Sequence, residues 1–355
     1  MRRTALCALR TAILFSTGVL ALPLAASPAG GALLSVSPGQ SIQAAIDAAP
    51  PGSTIHVSPG VYNENLLVTK DGITLQGAGP GSTLLRLPAS PRATPCDPQE
   101  GLGRASGICI VGDVNFSTGE VTRRVPQARV TGFDIQNFSS YGILIIAAEG
   151  VTVDGNVSSN NSAYGVFAID SSGIQFLSNT TNGNVQAGLY IGSSPEARAV
   201  VSGNTANGNL GEGILIGISN GGSVTNNNFS GNCVGIRLVG GPGVGVNWAL
   251  SGNVLNGNNR ACLGRSGAGI AVLGGHNISI EANTVNGNVA SGPATLRGGI
   301  VVTSRGGTPS SNVFVVGNTA FNNVPADLIW DQAGASIVFT RNRCGTAIPP
   351  GLCST

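Results

Sequence analysis

An asparagine returns along this chain about every 23 to 35 residues, each time closing a short apolar run. The runs are Val153-Asp-Gly-Asn156, Leu177-Ser-Asn179, Val201-Ser-Gly-Asn204, Val224-Thr-Asn-Asn227, Leu250-Ser-Gly-Asn253, Ile280-Glu-Ala-Asn283, Val316-Gly-Asn318 and Phe339-Thr-Arg-Asn342. Five residues on, a second asparagine follows in Asn161, Asn184, Asn209, Asn232, Asn258, Asn288 and Asn323. A glycine then opens another short apolar run, at Gly165, Gly188, Gly213, Gly235, Gly269 and Gly299, with Gly142 earlier in the same slot. Self-similarity at such a period marks a stacked repeat architecture.

Within each unit the apolar residues alternate, which is β periodicity. No unit of this size buries its own inward face, so units must stack and pair with their neighbours. Asparagine tolerates left-handed backbone at the corners, and stacked amides can bond from coil to coil. Parallel strands joined by a crossover are right-handed in about 98% of cases. The expected fold is therefore all-β, a right-handed single-stranded parallel β-helix of roughly eleven coils. At ~4.8 Å per coil it makes a rod roughly 50 Å long. A propeller blade needs about 40 residues and four longer strands, more than these units hold. Glycine is abundant, with 54 residues, but 41% hydrophobic and 10% charged content is the reverse of a disordered chain.

The first 29 residues read as a signal peptide. Arg2, Arg3 and Arg10 precede the apolar run Ala12 to Leu22, and small residues near positions 26 and 29 suit cleavage. Residues 30–355 form the β-helix domain, with an irregular insert at 88–128. Ser41 is expected to N-cap a short helix with Ile42, Ala45, Ile46 and Ala49 on one face, stopped by Pro50-Pro51. Such a helix caps the open end of the first coil. Without the leader, 15 of the 18 basic residues remain against 16 acidic ones, and Lys70 is the one lysine. That balance leaves no electrostatic footprint for nucleic acid, and no later segment is long and apolar enough to span a membrane. The expected protein is a monomer, secreted, with the periplasm or the cell surface as further destinations.

Once Cys7 leaves with the leader, six cysteines remain, and six allow 15 connectivities. Chain proximity favours Cys96–Cys109, Cys233–Cys262 and Cys344–Cys353. Without a Cys-x-x-Cys pair, and with only His56 and His276 to assist, a metal site is not expected.

The stretch from Ser41 to Gly52, then Pro59-Gly-Val-Tyr-Asn-Glu-Asn65, then Gly72-Ile-Thr-Leu-Gln-Gly-Ala-Gly-Pro-Gly81, resembles the opening of pectin methylesterases and related pectin-lyase-like proteins. The later coils resemble the generic repeats of that superfamily. The resemblance implies a right-handed β-helix that binds or acts on polysaccharides, often acidic ones, and calcium enters only by that resemblance. The catalytic motifs of the esterases and the Asp-Pro-His motif of alginate epimerases are absent from this chain. Asp134, Asp154 and Asp170 stand singly, coils apart, where pectate lyases gather their aspartates. No catalytic residue is assigned.

Candidate binding residues come from the glycine-opened strand. Its outward positions, coil by coil, are Leu144, Phe167, Tyr190, Leu215, Arg237, Ala271 and Val301. Phe167 and Tyr190 form a candidate platform for sugar rings, unless the insert or the C-terminal tail folds over them. Two adjacent coils lengthen one corner, bringing Arg260, Arg265 and Arg297 beside Arg237. Arginine forks suit carboxylates. Alternatively these arginines are solvated or paired with Glu212. If the protein were a lyase, Arg237 would be the base by position. His56, His276 and Trp248 read as structural, and no serine is expected near a histidine. The function expected is binding, and cleavage or modification, of an extracellular acidic polysaccharide. The alternative is a non-catalytic surface or matrix protein using the rod as a spacer or adhesion surface.

Overall fold

The computed structural model describes residues 30–97, 104–262 and 264–354. The leader and Cys7 lie outside the described residues. Each coil supplies up to three short strands. First strands of successive coils form a twelve-stranded sheet from Leu33–Val36 to Ile337–Thr340. Third strands form an eleven-stranded sheet from Leu66–Val68 to Ala347–Ile348. Second strands are shorter, pairing as small sheets near each end and as single bridges at Val157, Thr180, Thr205, Asn228, Val254 and Thr284. Coil-to-coil pairing is parallel and in register: Val153 lies over Phe176, Val201, Val224 and Leu250, all fully buried.

The asparagines lie in two vertical files. Asn156 donates its backbone N–H to Asn179 Oδ1 (3.1 Å), Asn179 to Asn204 (2.9 Å) and Asn204 to Asn227 (2.8 Å), and the file runs on to Asn342. Each Nδ2 also donates to the next Oδ1, as Asn179 does to Asn204 at 3.0 Å. The second file joins Asn161, Asn184, Asn209 and Asn232 in the same way. Its last rung is Asp327, whose Oδ1 accepts from Asn323 N and Nδ2 while Oδ2 accepts from Gly345 N and Thr346 N. Buried polar groups are tolerated only when bonded, and the files satisfy them coil after coil.

The left-handed corner falls one residue before the ladder asparagine, not on it. Gly155, Ser178, Gly203 and Asn226 have φ between 53° and 67°. Ser178 and Asn226 point to solvent while Asn179 and Asn227 are buried. A turn residue projects away from the coil, whereas a stacked amide has to sit inside it.

The N-terminal cap is the α-helix Ile42–Ala48, with the Ser41 hydroxyl accepting from Ala44 N. Ile42, Ile46 and Ala49 are buried against the first coils, with Ala45 partly buried. The next coil stabilises both helix ends. Glu64 accepts from Ile42 N (2.9 Å) and Gln43 N (3.1 Å), and Lys70 Nζ donates to the carbonyls of Ile46, Asp47 and Ala49. An anion at the N-terminus and a cation at the C-terminus both complement the helix dipole.

Parts of the segment 88–128 join the coil. Its Ile108–Val111 is a third-sheet strand between Leu66–Val68 and Ile143–Ile146, and Asp113–Asn115 pairs with Glu120–Arg123 as an antiparallel hairpin. Disulfides join Cys96 to Cys109, Cys233 to Cys262 and Cys344 to Cys353.

Candidate functional site

The third sheet presents the outward file in unbroken register. Leu144 pairs with Phe167, then follow Tyr190, Leu215, Arg237, Ala271 and Val301. The opening glycines let this sheet lie close to the second asparagine corner. A Cβ on Gly235 would stand 2.5 Å from the Gly269 carbonyl, and one on Gly188 2.6 Å from Thr181 Oγ1.

The expected open stripe is covered at both ends. Cys96, Cys109 and neighbouring residues of the insert pack with Leu144 and Phe167, so Phe167 is buried. At the other end Cys233, Leu296 and the loop cysteine Cys262 pack with Ala271 and Val301, which are also buried. Between the two covers, Tyr190, Leu215 and Arg237 stay half-buried.

Here a cleft of about 490 Å³ opens, lined among others by Tyr164, Val185, Leu210, Glu212, Arg237 and Arg265. Ala187, the slot between Tyr164 and Glu212, is fully buried and small. Glu212 is buried and accepts from Arg237 Nη1 at 3.0 Å, while Arg265 Nε stands 3.7 Å from the same oxygen. That second approach is too long for a hydrogen bond. Both Nε atoms, of Arg237 and Arg265, are buried without a hydrogen-bond partner. Two guanidiniums thus share one carboxylate, and the site carries a net positive charge. Burial first, and Arg237 second, hold the Arg265 guanidinium below its ordinary value, with Glu212 opposing.

Beside the arginines lies an aromatic group. Phe167 and Tyr190 stack at 4.4 Å with planes 6° apart, and Tyr141 and Tyr164 stack at 5.8 Å and 11°. Tyr164 joins the pairs at 5.0 Å from Tyr190. Burial pushes the Tyr164 phenol well above its usual value, Tyr190 and Glu212 add to the rise, and Tyr190 is itself raised mainly by burial. These phenols stay protonated at neutral pH and offer hydrogen-bond donors.

The structure thus brings together Tyr190, Arg237 and Arg265 with Glu212 and Tyr164, while Phe167 supports the group from beneath. Arg297 is exposed and does not line the cleft; Arg260 is exposed and donates to the Gly231 carbonyl. The single aspartates meet arginines of their own: Asp134 with Arg86, Asp154 with Arg129, and the Asp170 carbonyl with Arg124. Trp248 is core, donating from Nε1 to Ser219 O. One expectation is corrected. His276 and Ser311 share a repeat position, and Nδ1 lies 2.5 Å from the hydroxyl. Among the described residues, no cluster of three or more His, Cys, Asp or Glu is placed to hold a metal ion, and no helix is long and apolar enough to cross a membrane.

The family model for a right handed beta helix region matches residues 104–249 and 141–320, downstream of the opening that resembles pectin methylesterases. No curated protein sequence matches. Similar solved structures include the periplasmic alginate epimerase AlgG, at 15% identity over 87% of this chain and 83% of that one, TM-score 0.50. The alginate lyase from Paenibacillus sp. strain FPU-7 has 16% identity over 89% and 98%, TM-score 0.53. The Dettilon tailspike protein has 14% identity over 89% and 59%, TM-score 0.54. At these identities the likeness is one of fold.

Proposed function

Starting from the premise that this chain belongs to the right-handed β-helix family, we propose that it binds an acidic polysaccharide in the third-sheet cleft. One observation carries the reading: two half-buried arginines face a single buried carboxylate, leaving an excess of positive charge beside protonated phenols. A uronate carboxylate supplies the missing charge, and bonds to charged groups are among the stronger ones. Sugar rings pack their apolar faces on Tyr190 and Tyr164. Two of the similar folds carry alginate in their names, which agrees with a uronate guest.

Binding is favoured over cleavage by Arg237 as base. Arg237 already engages the Glu212 carboxylate at 3.0 Å, a geometry suited to neutralising a second carboxylate beside it. Three disulfides support an oxidising compartment outside the cytoplasm, in keeping with a leader at 1–29 and a mature domain from residue 30.

The test is affinity electrophoresis in gels containing pectate, alginate or glucuronan, each beside its carboxyl-reduced form. Retardation by at least one polyuronate, lost on carboxyl reduction and weakened about tenfold or more by Arg265→Ala, is expected. Equal mobility in all gels refutes the reading and leaves the rod as a spacer. Formation of unsaturated uronate in the same mixtures would show that the bound chain is also cleaved.

A further inference from the structure

One side of the cleft is aliphatic rather than polar. Val185 and Leu210 line it and are 51% and 44% exposed, with Leu215 and Ala261 completing an apolar side. Both follow a ladder asparagine directly, and their backbone N–H groups donate to Asn161 O and Asn184 O, which fixes them at the corner. The same slot exposes Val289 and Val324 further along the rod, outside the cleft lining. Ser162 holds it one coil earlier, so the backbone does not demand an aliphatic residue there.

A hydroxyl turned toward valine and leucine loses water without gaining a partner, whereas an apolar substituent at the same place loses nothing. A ring that carries both a carboxylate and a small apolar substituent fits both sides at once. We infer that the cleft takes a uronate residue bearing an O-acyl group such as an acetyl ester. The carboxylate meets Arg237 and Arg265, and the acyl methyl packs against Val185 and Leu210. This inference rests on the acidic-polysaccharide reading and names the substituent that the reading leaves open.

Covering one methyl is worth about a fourfold gain in affinity. The experiment compares one O-acetylated polyuronate with the same preparation after mild alkaline de-O-acetylation, by calorimetric titration of the full chain. Wild type is expected to bind the acetylated form about fourfold more tightly. Leu210→Ser is expected to abolish that preference. Val289→Ser, outside the cleft, should keep the preference. Equal binding of both polymers by wild type, or a preference that survives in Leu210→Ser, overturns the acyl inference alone. Binding of neither polymer overturns the acyl inference and, together with equal mobility in all the gels, the acidic-glycan reading as well. Unchanged circular dichroism melting shows that each variant is folded.

Discussion

Removing one buried rung should cost far more than removing an exposed one of the same residue type. Asn204 is 1% exposed, and its Nδ2 donates to Phe176 O (2.8 Å), Ser202 O (3.2 Å) and Asn227 Oδ1 (2.9 Å). Its Oδ1 accepts from Asn179 N (2.9 Å) and Asn179 Nδ2 (3.0 Å). In Asn204→Ala, Asn179 Nδ2 keeps Val153 O and Asn227 Oδ1 keeps Asn204 N, so those groups lose only one of two partners. The Asn179 N–H is left buried with nothing to meet it, at about 1–3 kcal/mol, and the weakened bonds add about 1 kcal/mol more. The expected loss is thus about 3 kcal/mol, a large share of the ~5–15 kcal/mol that holds a typical domain. The matched control is Asn277→Gly, in the exposed file where Asn277 donates to Asn247 Oδ1 at 3.1 Å. Glycine accepts its φ of 56°, so this change should cost about 0.5 kcal/mol or less. Urea unfolding followed by circular dichroism measures both. A cost under about 1 kcal/mol for Asn204→Ala, or equal costs for the pair, would refute the claim that burial gives the ladder its weight.

Three further outcomes are expected. Lys70→Met strips three carbonyls of their donor at the helix C-terminus, so amide exchange in Ile42–Ala48 should quicken several-fold while the central coils stay protected. Burial raises Tyr141, Tyr164 and Tyr190, so their phenols should ionise above the usual value of 10 in an ultraviolet titration. The unfolded chain gives up these protons first, so stability should hold below pH 10 and fall as pH rises through it. At acid pH the sign reverses for Asp331. Burial works against its charge, but donors from Ser304, Ala333 and Thr303 prevail and lower it below 3.8, so its contribution is present above that value and lost as pH falls further. Asp331→Asn should flatten the acid limb of the unfolding-midpoint curve.

The periodic features were the legible ones. Asparagine and glycine recur because every coil meets the same two demands, a stacked amide and a close approach, so a file such as Asn156–Asn179–Asn204 can be read from one chain. Covers obey no period. That Phe167 is buried depends on the path of the segment around Cys96, which nothing in the repeat dictates. Arg237 and Arg265 were found from an outward slot and a lengthened corner. Glu212 entered only as a partner for them, although a signal existed: the residue before each opening glycine runs Tyr141, Tyr164, Ala187, Glu212, Val234, and the carboxylate breaks an apolar series. His276 and Ser311 lie 35 residues apart and meet only because they hold the same offset in neighbouring coils.

Asp327 ends the second file with a side chain that receives and has nothing to pass on. Every asparagine before it hands the next coil the same request it has just answered, so whole coils are interchangeable in number. The molecule's length is therefore counted in integers. A duplication or excision of one full unit upstream of that carboxylate leaves each remaining joint as it was, whereas residues added within a unit have to leave the file as a loop, as those between Asn258 and Gly269 do.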